Sequence, residues 1–321
     1  MKISFPFGLS ATALFLALVA CTLSLWAQTS EKPSSSATLS NSCIEVPQSM
    51  TFCGETISLA RFDRRERMDR ELLAFSYMHS TTLQMIKRAN RYFPIVESIL
   101  RENGVPDDFK YLMSIESNNN PLARSVAGAA GLWQFMPSTG REFGLEVGNS
   151  VDERYHVEKS TRAACRYLKQ AYARFGSWIS VAASYNAGQG RISRELDRQY
   201  EEDALDLQLV EETARYVYRI LAAKMLFADP TRFGFRLHAS DLYPPIPYRE
   251  IKVEETIEDL PRFAKSQGIT YALLRTMNPW LRSRTLHVHG SKTYYLRIPD
   301  KERMYYNPRV TFPHDPKWVV E

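Results

Sequence analysis

Apolar side chains recur at helical spacing from about Asp63 to Ala228. Leu72, Phe75, Tyr77 and Met78 follow a charged opening. Leu83, Ile86, Tyr92, Ile95, Ile99 and Leu100 continue the pattern, with Pro94 expected to break or kink it. Asn103-Gly104 closes that stretch, and Pro106-Asp107-Asp108 predicts the start of another helix with acids in its first turn. Further helices are predicted over Lys159–Phe175, Trp178–Tyr185 and Glu211–Ala228, with Gly176 and Asp229-Pro230 ending the first and last. Between Asn118 and Pro137 the period gives way to Asn, Gly and Ala, which predicts a loop region held inside a helical domain.

Beyond Pro244-Pro245-Ile246-Pro247 the pattern changes. Tyr248 to Glu254 alternates as a strand does, and Thr256 with Asp259 forms a weak capping pair for a short helix through Ala264. Tyr271 to Met277 suits a second short helix, and Thr293 to Ile298 alternates again. The chain is therefore predicted to be mainly α. A helical domain over residues 61–240, with its motif core at 105–228, precedes a small α+β module over 245–300 and a tail of 301–321 that shows no usable period.

Composition adds limits rather than direction. Hydrophobic residues make up 44% and charged residues 24% of the 321, a globular balance. The net charge of +5 is too small and too dispersed to argue for nucleic acid as a partner. From Ile3 to Ser30 no side chain is charged, and Lys2 supplies a short basic region before the apolar run, the pattern of an export signal. Cleavage after Ala27 gives a signal peptide of residues 1–27. Lipidation at Cys21 and an uncleaved membrane anchor stay open beside it, and each sends the rest of the chain out of the cytoplasm, to a periplasmic or outer-membrane-associated location. Residues 28–60 are expected to form a tether, because Gln28 to Ser42 holds six serines and almost nothing apolar. Cys43 and Cys53 stand ten positions apart, and either a disulfide or two thiols fits. Cys165 sits among apolar neighbours and reads as a buried helix face. His287 and His289 share one strand face without an evident third ligand, so no metal is implied.

One carboxylate stands out. Phe109, Leu112, Met113 and Glu116 fall at i, i+3, i+4 and i+7, which sets Glu116 on the apolar face of a helix just before the Asn/Gly/Ala loop. Burial disfavours the ionised form, and a carboxylic acid that keeps its proton near neutral pH is what general-acid catalysis at a glycosidic oxygen requires. The competing reading is a structural Glu neutralised by an arginine such as Arg91 or Arg215.

The residues around it form longer patterns. Glu116-Ser117, then Asn120-Pro121, Ala123, Ser125 and Gly128-Ala129-Ala130-Gly131-Leu132-Trp133-Gln134-Phe135-Met136-Pro137, resembles the central motif of the soluble lytic transglycosylase family, which has the goose-type lysozyme fold. Ala183-Ser184-Tyr185-Asn186-Ala187-Gly188 and Glu212-Thr213-Ala214-Arg215-Tyr216-Val217 resemble its downstream motifs, in the family's order. The likeness extends upstream through Asn90-Arg91-Tyr92-Phe93-Pro94 and Gly104-Val105-Pro106-Asp107-Asp108-Phe109.

The resemblance implies a lysozyme-like domain that cleaves peptidoglycan glycan strands without a cofactor. Glu116 is then the single catalytic acid and base, and the product is a 1,6-anhydro-muramic acid end. It further implies that Ser125, Gln134, Met136, Tyr185 and Asn186 line the sugar cleft and that Tyr216 lies beside the acid. Trp133 and Met136 also suit packing, and Asn186-Ala187-Gly188 also suits a turn ending a helix. Gly128 and Gly131 are expected to allow close backbone approach. No Asp or Glu lies between Glu116 and Glu142, and the motifs are read as supplying no second carboxylate, so Asp152 and Glu153 are the ones folding would have to bring near. The C-terminal module resembles a lysin-motif domain through Thr256-Ile257-Glu258-Asp259-Leu260, Leu274-Arg275-Thr276-Met277-Asn278-Pro279 and Tyr295-Leu296-Arg297-Ile298-Pro299. Glu254-Glu255 replaces its usual Gly-Asp pair, which leaves glycan binding by the module open. The alternatives to a transglycosylase are a muramidase that uses water on the same scaffold, and a wall-binding protein without turnover.

Overall fold

The computed structural model describes residues 43–320, so the expected signal segment, Cys21 and the serine-rich stretch through Ser42 lie outside it. The tether expected as far as residue 60 gives way to ordered structure well before that point. Strands β1 (Ser49–Phe52) and β2 (Glu55–Ser58) pair antiparallel, Phe52 opposite Glu55, through a turn in which Cys53 and Gly54 both take positive φ. Phe52, Ile57 and Leu59 are buried in the main core, so the segment gains more from burial than it loses in chain entropy. Cys43, Cys53 and Cys165 are unpaired thiols.

Helix α1 (Phe62–Tyr77) leads into α2 (His79–Glu102), which runs unbroken through Pro94. The missing N–H there is tolerated because Phe93, Val96, Ile99 and Leu100 are all locked in the core. Helix α3 (Phe109–Ser117) begins one residue after Asp108. That side chain does not cap its own helix; it accepts from Cys53 N at 2.6 Å and Lys224 Nζ at 2.8 Å, tying the hairpin to the bundle.

Helix α4 (Pro137–Glu142) comes after the loop, then α5 (Val157–Phe175), α6 (Trp178–Ala187), α7 (Gln189–Gln199) and α8 (Glu211–Ala228). Gly176 ends α5 in the left-handed region, its N–H on Tyr172 O. The Glu55 carboxylate accepts from Trp178 N and Ser177 Oγ at the start of α6, where unpaired N–H groups favour an anion. Helix α8 is buried nearly all round, from Thr213 and Tyr216 to Leu226 and Phe227, and packs against α1, α3 and α6 as the central rod of the bundle. No helix among the described residues is long and apolar enough to cross a membrane.

The C-terminal module has the expected strand, helix, helix, strand order. Strand β3 (Tyr248–Val253) pairs antiparallel with β4 (Tyr294–Pro299), and α9 (Leu260–Ser266) and α10 (Tyr271–Met277) cover the ribbon. Asp259 caps α9 by accepting from Arg262 N, whereas Thr256 Oγ1 accepts from Val288 N and takes no part in the cap. His287 and His289 stack at 5.9 Å.

The module's core of Leu260, Leu274, Leu281 and Leu296 continues into Ala130, Val151 and Tyr155 of the helical domain. Backbone bonds from Asp152 N to Trp280 O and from Arg282 N to Ser150 O cross that seam. The tail, which showed no period, returns to the helices: Trp318 is buried and donates to Phe227 O, and Val320 N donates to Leu237 O.

Candidate active site

Helix α3 carries Glu116 in its last turn, with Phe109, Leu112 and Met113 fully buried behind it as the spacing predicts. The helix then stops abruptly. Asn118 and Asn119 take φ of 51° and 54°, Asn118 N closes on Ser114 O, and the buried Asn119 amide accepts from Ser114 Oγ and donates to Met85 O. Two consecutive left-handed asparagines therefore fix where the chain leaves the carboxylate.

Glu116 is half-buried, and Tyr216 from α8 donates its hydroxyl to Oε1. Burial raises the carboxyl to about 6; the Tyr216 hydrogen bond and the positive field of Arg219 act against the rise, and Glu212 adds to it. Neither arginine proposed as a structural partner holds it. Arg91 donates to Pro244 O, and Arg215 is paired with the buried Glu71, which also accepts from Arg219. Glu71 thus pairs with both arginines of α8, while Arg219 still acts on Glu116 through its field. A cavity of about 260 Å³ is lined by Ile115 of α3 and Asn118 just beyond that helix, with Arg215 and Arg219 of α8.

Tyr185 and Tyr216 both feel Glu116, and burial with that charge pushes both phenols well above their usual range. The Tyr185 hydroxyl donates to Trp133 O at 2.7 Å, and its ring packs on Tyr167 and Phe135. Asn186 is joined to α8 by the hydroxyl of Thr213, which donates to its Oδ1 at 2.9 Å; the preceding helix ends beyond it, at Gly188. Glu116, Tyr185, Asn186 and Tyr216 therefore form one neighbourhood where α3, α6 and α8 meet.

The other three expected residues lie in the loop of residues 118–136 and bond within it. Ser125 Oγ accepts from Ala129 N. Gln134, at φ 48°, spends its amide N–H groups on Ala123 O and Gly131 O, so it shapes the loop and offers no free donor. Met136 is 40% exposed, which overturns the packing reading, while Trp133 is fully buried with Nε1 on Thr161. Gly131 is needed for close approach: an added Cβ would lie 1.8 Å from Arg154 O. Gly128 meets nothing within 4 Å, so its glycine serves the φ of 91° alone.

Arg154 was not foreseen. Buried against Asp152, it donates to Gly128 O and Phe135 O and pins both ends of the glycine turn. Asp152 is thus committed to Arg154, and Glu153 to Lys159 and Glu146 N. The carboxylate that folding does bring within electrostatic reach of Glu116 is Glu212. Its signal was present as Glu212, Tyr216 and Arg219, spaced i, i+4 and i+7 on one face of a helix.

Residues 94–208 match the family profile described as the Transglycosylase SLT domain. The chain carries a transglycosylase SLT domain. Residues 249–302 match the soluble lytic transglycosylase C-terminal LysM-like domain, which accounts for the strand, helix, helix, strand module behind the SLT domain. Membrane-bound lytic murein transglycosylase D of Escherichia coli K12 is 31% identical over 242 residues, 74% of this chain and 52% of that protein. The chain spans about half the length of that relative. The soluble lytic murein transglycosylase of the same organism is 36% identical over 90 residues, 26% of this chain and 14% of that protein. The crystal structure of the 70 kDa soluble lytic transglycosylase of Escherichia coli covers 48% of this chain and 27% of its own at 24% identity and a TM-score of 0.37.

Proposed function

We propose that this chain is a peptidoglycan lytic transglycosylase with Glu116 as its single general acid and base. The observation that carries the reading is one carboxyl group, inside an SLT domain, raised to about 6 by burial and held by the Tyr216 hydroxyl. Its proton goes to the oxygen joining N-acetylmuramic acid to N-acetylglucosamine, and the bond from that oxygen to the muramic anomeric carbon breaks. The N-acetyl oxygen of the same sugar supports the positive charge. Glu116, now a carboxylate, takes the proton of the sugar's 6-hydroxyl, whose oxygen bonds to the anomeric carbon and closes the anhydro ring. Glu116 ends protonated, as it began. Tethering nucleophile to electrophile removes much of the entropic cost of attack.

Tyr216 fixes the carboxylate's orientation in both halves. Tyr185, Asn186 and Ser125 are proposed to orient sugar hydroxyl and N-acetyl groups, Gln134 to hold the loop that presents Ser125, and exposed Met136 to lie against a sugar face. Peptidoglycan lies outside the cytoplasm, so the proposed site of action does as well. A second reading, a muramidase that activates water, draws on Glu212. That side chain is exposed, and an exposed carboxylate beside a buried acid is the arrangement a two-carboxylate hydrolase uses.

Release of soluble fragments from purified peptidoglycan tests the acid. Glu116→Gln is expected to lower the rate by ~10²-fold or more while the melting temperature holds. Wild-type turnover by that variant would overturn the assignment.

A further inference from the structure

Two adjoining cavities, of about 300 and 360 Å³, open along the seam between the SLT domain and the C-terminal module and share Leu122, Tyr155, Thr276 and Pro279. Their lining includes Arg88, Arg91, Arg124, Arg275 and Arg282, and no aspartate or glutamate among the described residues. None of these five guanidinium groups has a carboxylate partner among the described residues, although the chain as a whole nearly balances 41 basic with 36 acidic side chains. Arg297 also lines the cavity of about 300 Å³ and is the one arginine of the lining that is paired among the described residues, with Glu158 and Glu250.

The cations are also held in place. Arg282 lies 4.4 Å over the Tyr155 ring, Arg91 lies 5.7 Å from the Tyr243 ring and Arg275 5.7 Å from that of Tyr271. Arg91 donates to Pro244 O, Arg275 to the Tyr271 hydroxyl and Arg282 to Pro279 O, which fixes each guanidinium with little rotamer entropy left to lose, while its other N–H groups have no acceptor among the described residues. Arg275 Nε is buried with no hydrogen-bond partner among the described residues. Such a donor is costly unless something fills the cleft beside it.

We propose that this cleft binds the carboxylate-bearing peptide stem of the peptidoglycan strand, alongside the sugar cleft. The proposal rests on the reading of the chain as a peptidoglycan enzyme. Planar guanidinium forks match carboxylates in bidentate fashion, and the muramic acid stem brings carboxylates within a short chain of the bond that Glu116 would break. Pro121, Leu122 and Arg124 line the cleft only a few residues beyond Glu116, on the same loop that carries Ser125. A recessed cleft between two folded units admits a peptide and keeps out the flat surface of an anionic bilayer.

The test is binding by the full chain carrying Glu116→Gln, so that the strands stay intact. Glycan strands with their stems are compared with the same strands stripped of stems by an amidase, and with vesicles of anionic phospholipid. Strands with stems are expected to bind about 10-fold tighter than stripped strands, with the preference shrinking as salt rises. Adding Arg124→Ala with Arg275→Ala should bring the two affinities within about 2-fold and leave the stripped strands unaffected. Arg88→Ala, on α2, gives a second reading should the double variant fail to fold. Equal affinity for both strands, an equal loss on both, or tighter binding to vesicles would overturn the proposal. Absence of turnover by the wild-type chain bears on the enzymatic reading alone, because binding is read on uncut strands.

Discussion

At the scale of single residues, the competing influences on Glu116 fix how activity should vary with pH. Burial raises the carboxyl to about 6, and Tyr216, by donating to it, restrains that rise. In the proposed mechanism the acid form starts the reaction, so kcat/KM should fall as pH climbs through the Glu116 value. Tyr216→Phe removes the restraint and should move this alkaline limb to higher pH, with a lower plateau because the carboxyl loses its fixed orientation. A limb that stays in place would mean that some other group titrates. The i, i+3, i+4, i+7 pattern was enough to find Glu116 and its burial face in the sequence, because periodicity reports which side of a helix a residue occupies. It could not name the hydroxyl that holds the acid, which comes from a helix 100 positions away. Family likeness pointed to Tyr216, but neither it nor spacing revealed that Glu71 pairs with Arg215 and Arg219.

At the scale of elements, helix positions were readable where polar and apolar faces differ, as in α5, or where a helix is long and buried, as in α8. Short α4 has too few residues to show a period, and α7, polar overall with Ile192 as its one buried residue, has too few apolar positions to repeat one, so both were missed. The β1–β2 hairpin was hidden because its few apolar residues come after a serine-rich run and matter only against the distant core. Pro94 misled for the converse reason: a local penalty of ~3 kcal/mol was outweighed by the burial of its whole helix. The loop between α3 and α4 depends on one contact that a sequence motif records without explaining. Gly131→Ala would put a methyl group 1.8 Å from Arg154 O at a φ of 79°, and should cost ~3 kcal/mol or more, read as a lower midpoint in urea unfolding. An unchanged midpoint would show that the loop yields easily.

At the scale of the whole molecule, the tail and the module are built onto the SLT domain rather than hung from it. Trp318 fills a pocket beside Phe93 and Phe227, and His314 with Lys110 holds Glu97, whose carboxyl, despite burial, is kept below its ordinary value by those donations. That contribution is present above the ordinary carboxylate range and is lost as pH falls through the lowered value. Trp318→Ala should cost ~3–5 kcal/mol in unfolding experiments near neutral pH; a loss below ~1 kcal/mol would mean the tail is an ornament. In the proposed reaction the scaffold so assembled presents one half-buried acid to a sugar bridge and leaves Glu212 exposed nearby, and the products distinguish the two chemistries open to it. The most direct measurement is the mass of the muropeptides released by the wild-type chain. Ring closure by the sugar's own hydroxyl predicts ends lighter by one water than hydrolytic ends, and products carrying only reducing ends would contradict it.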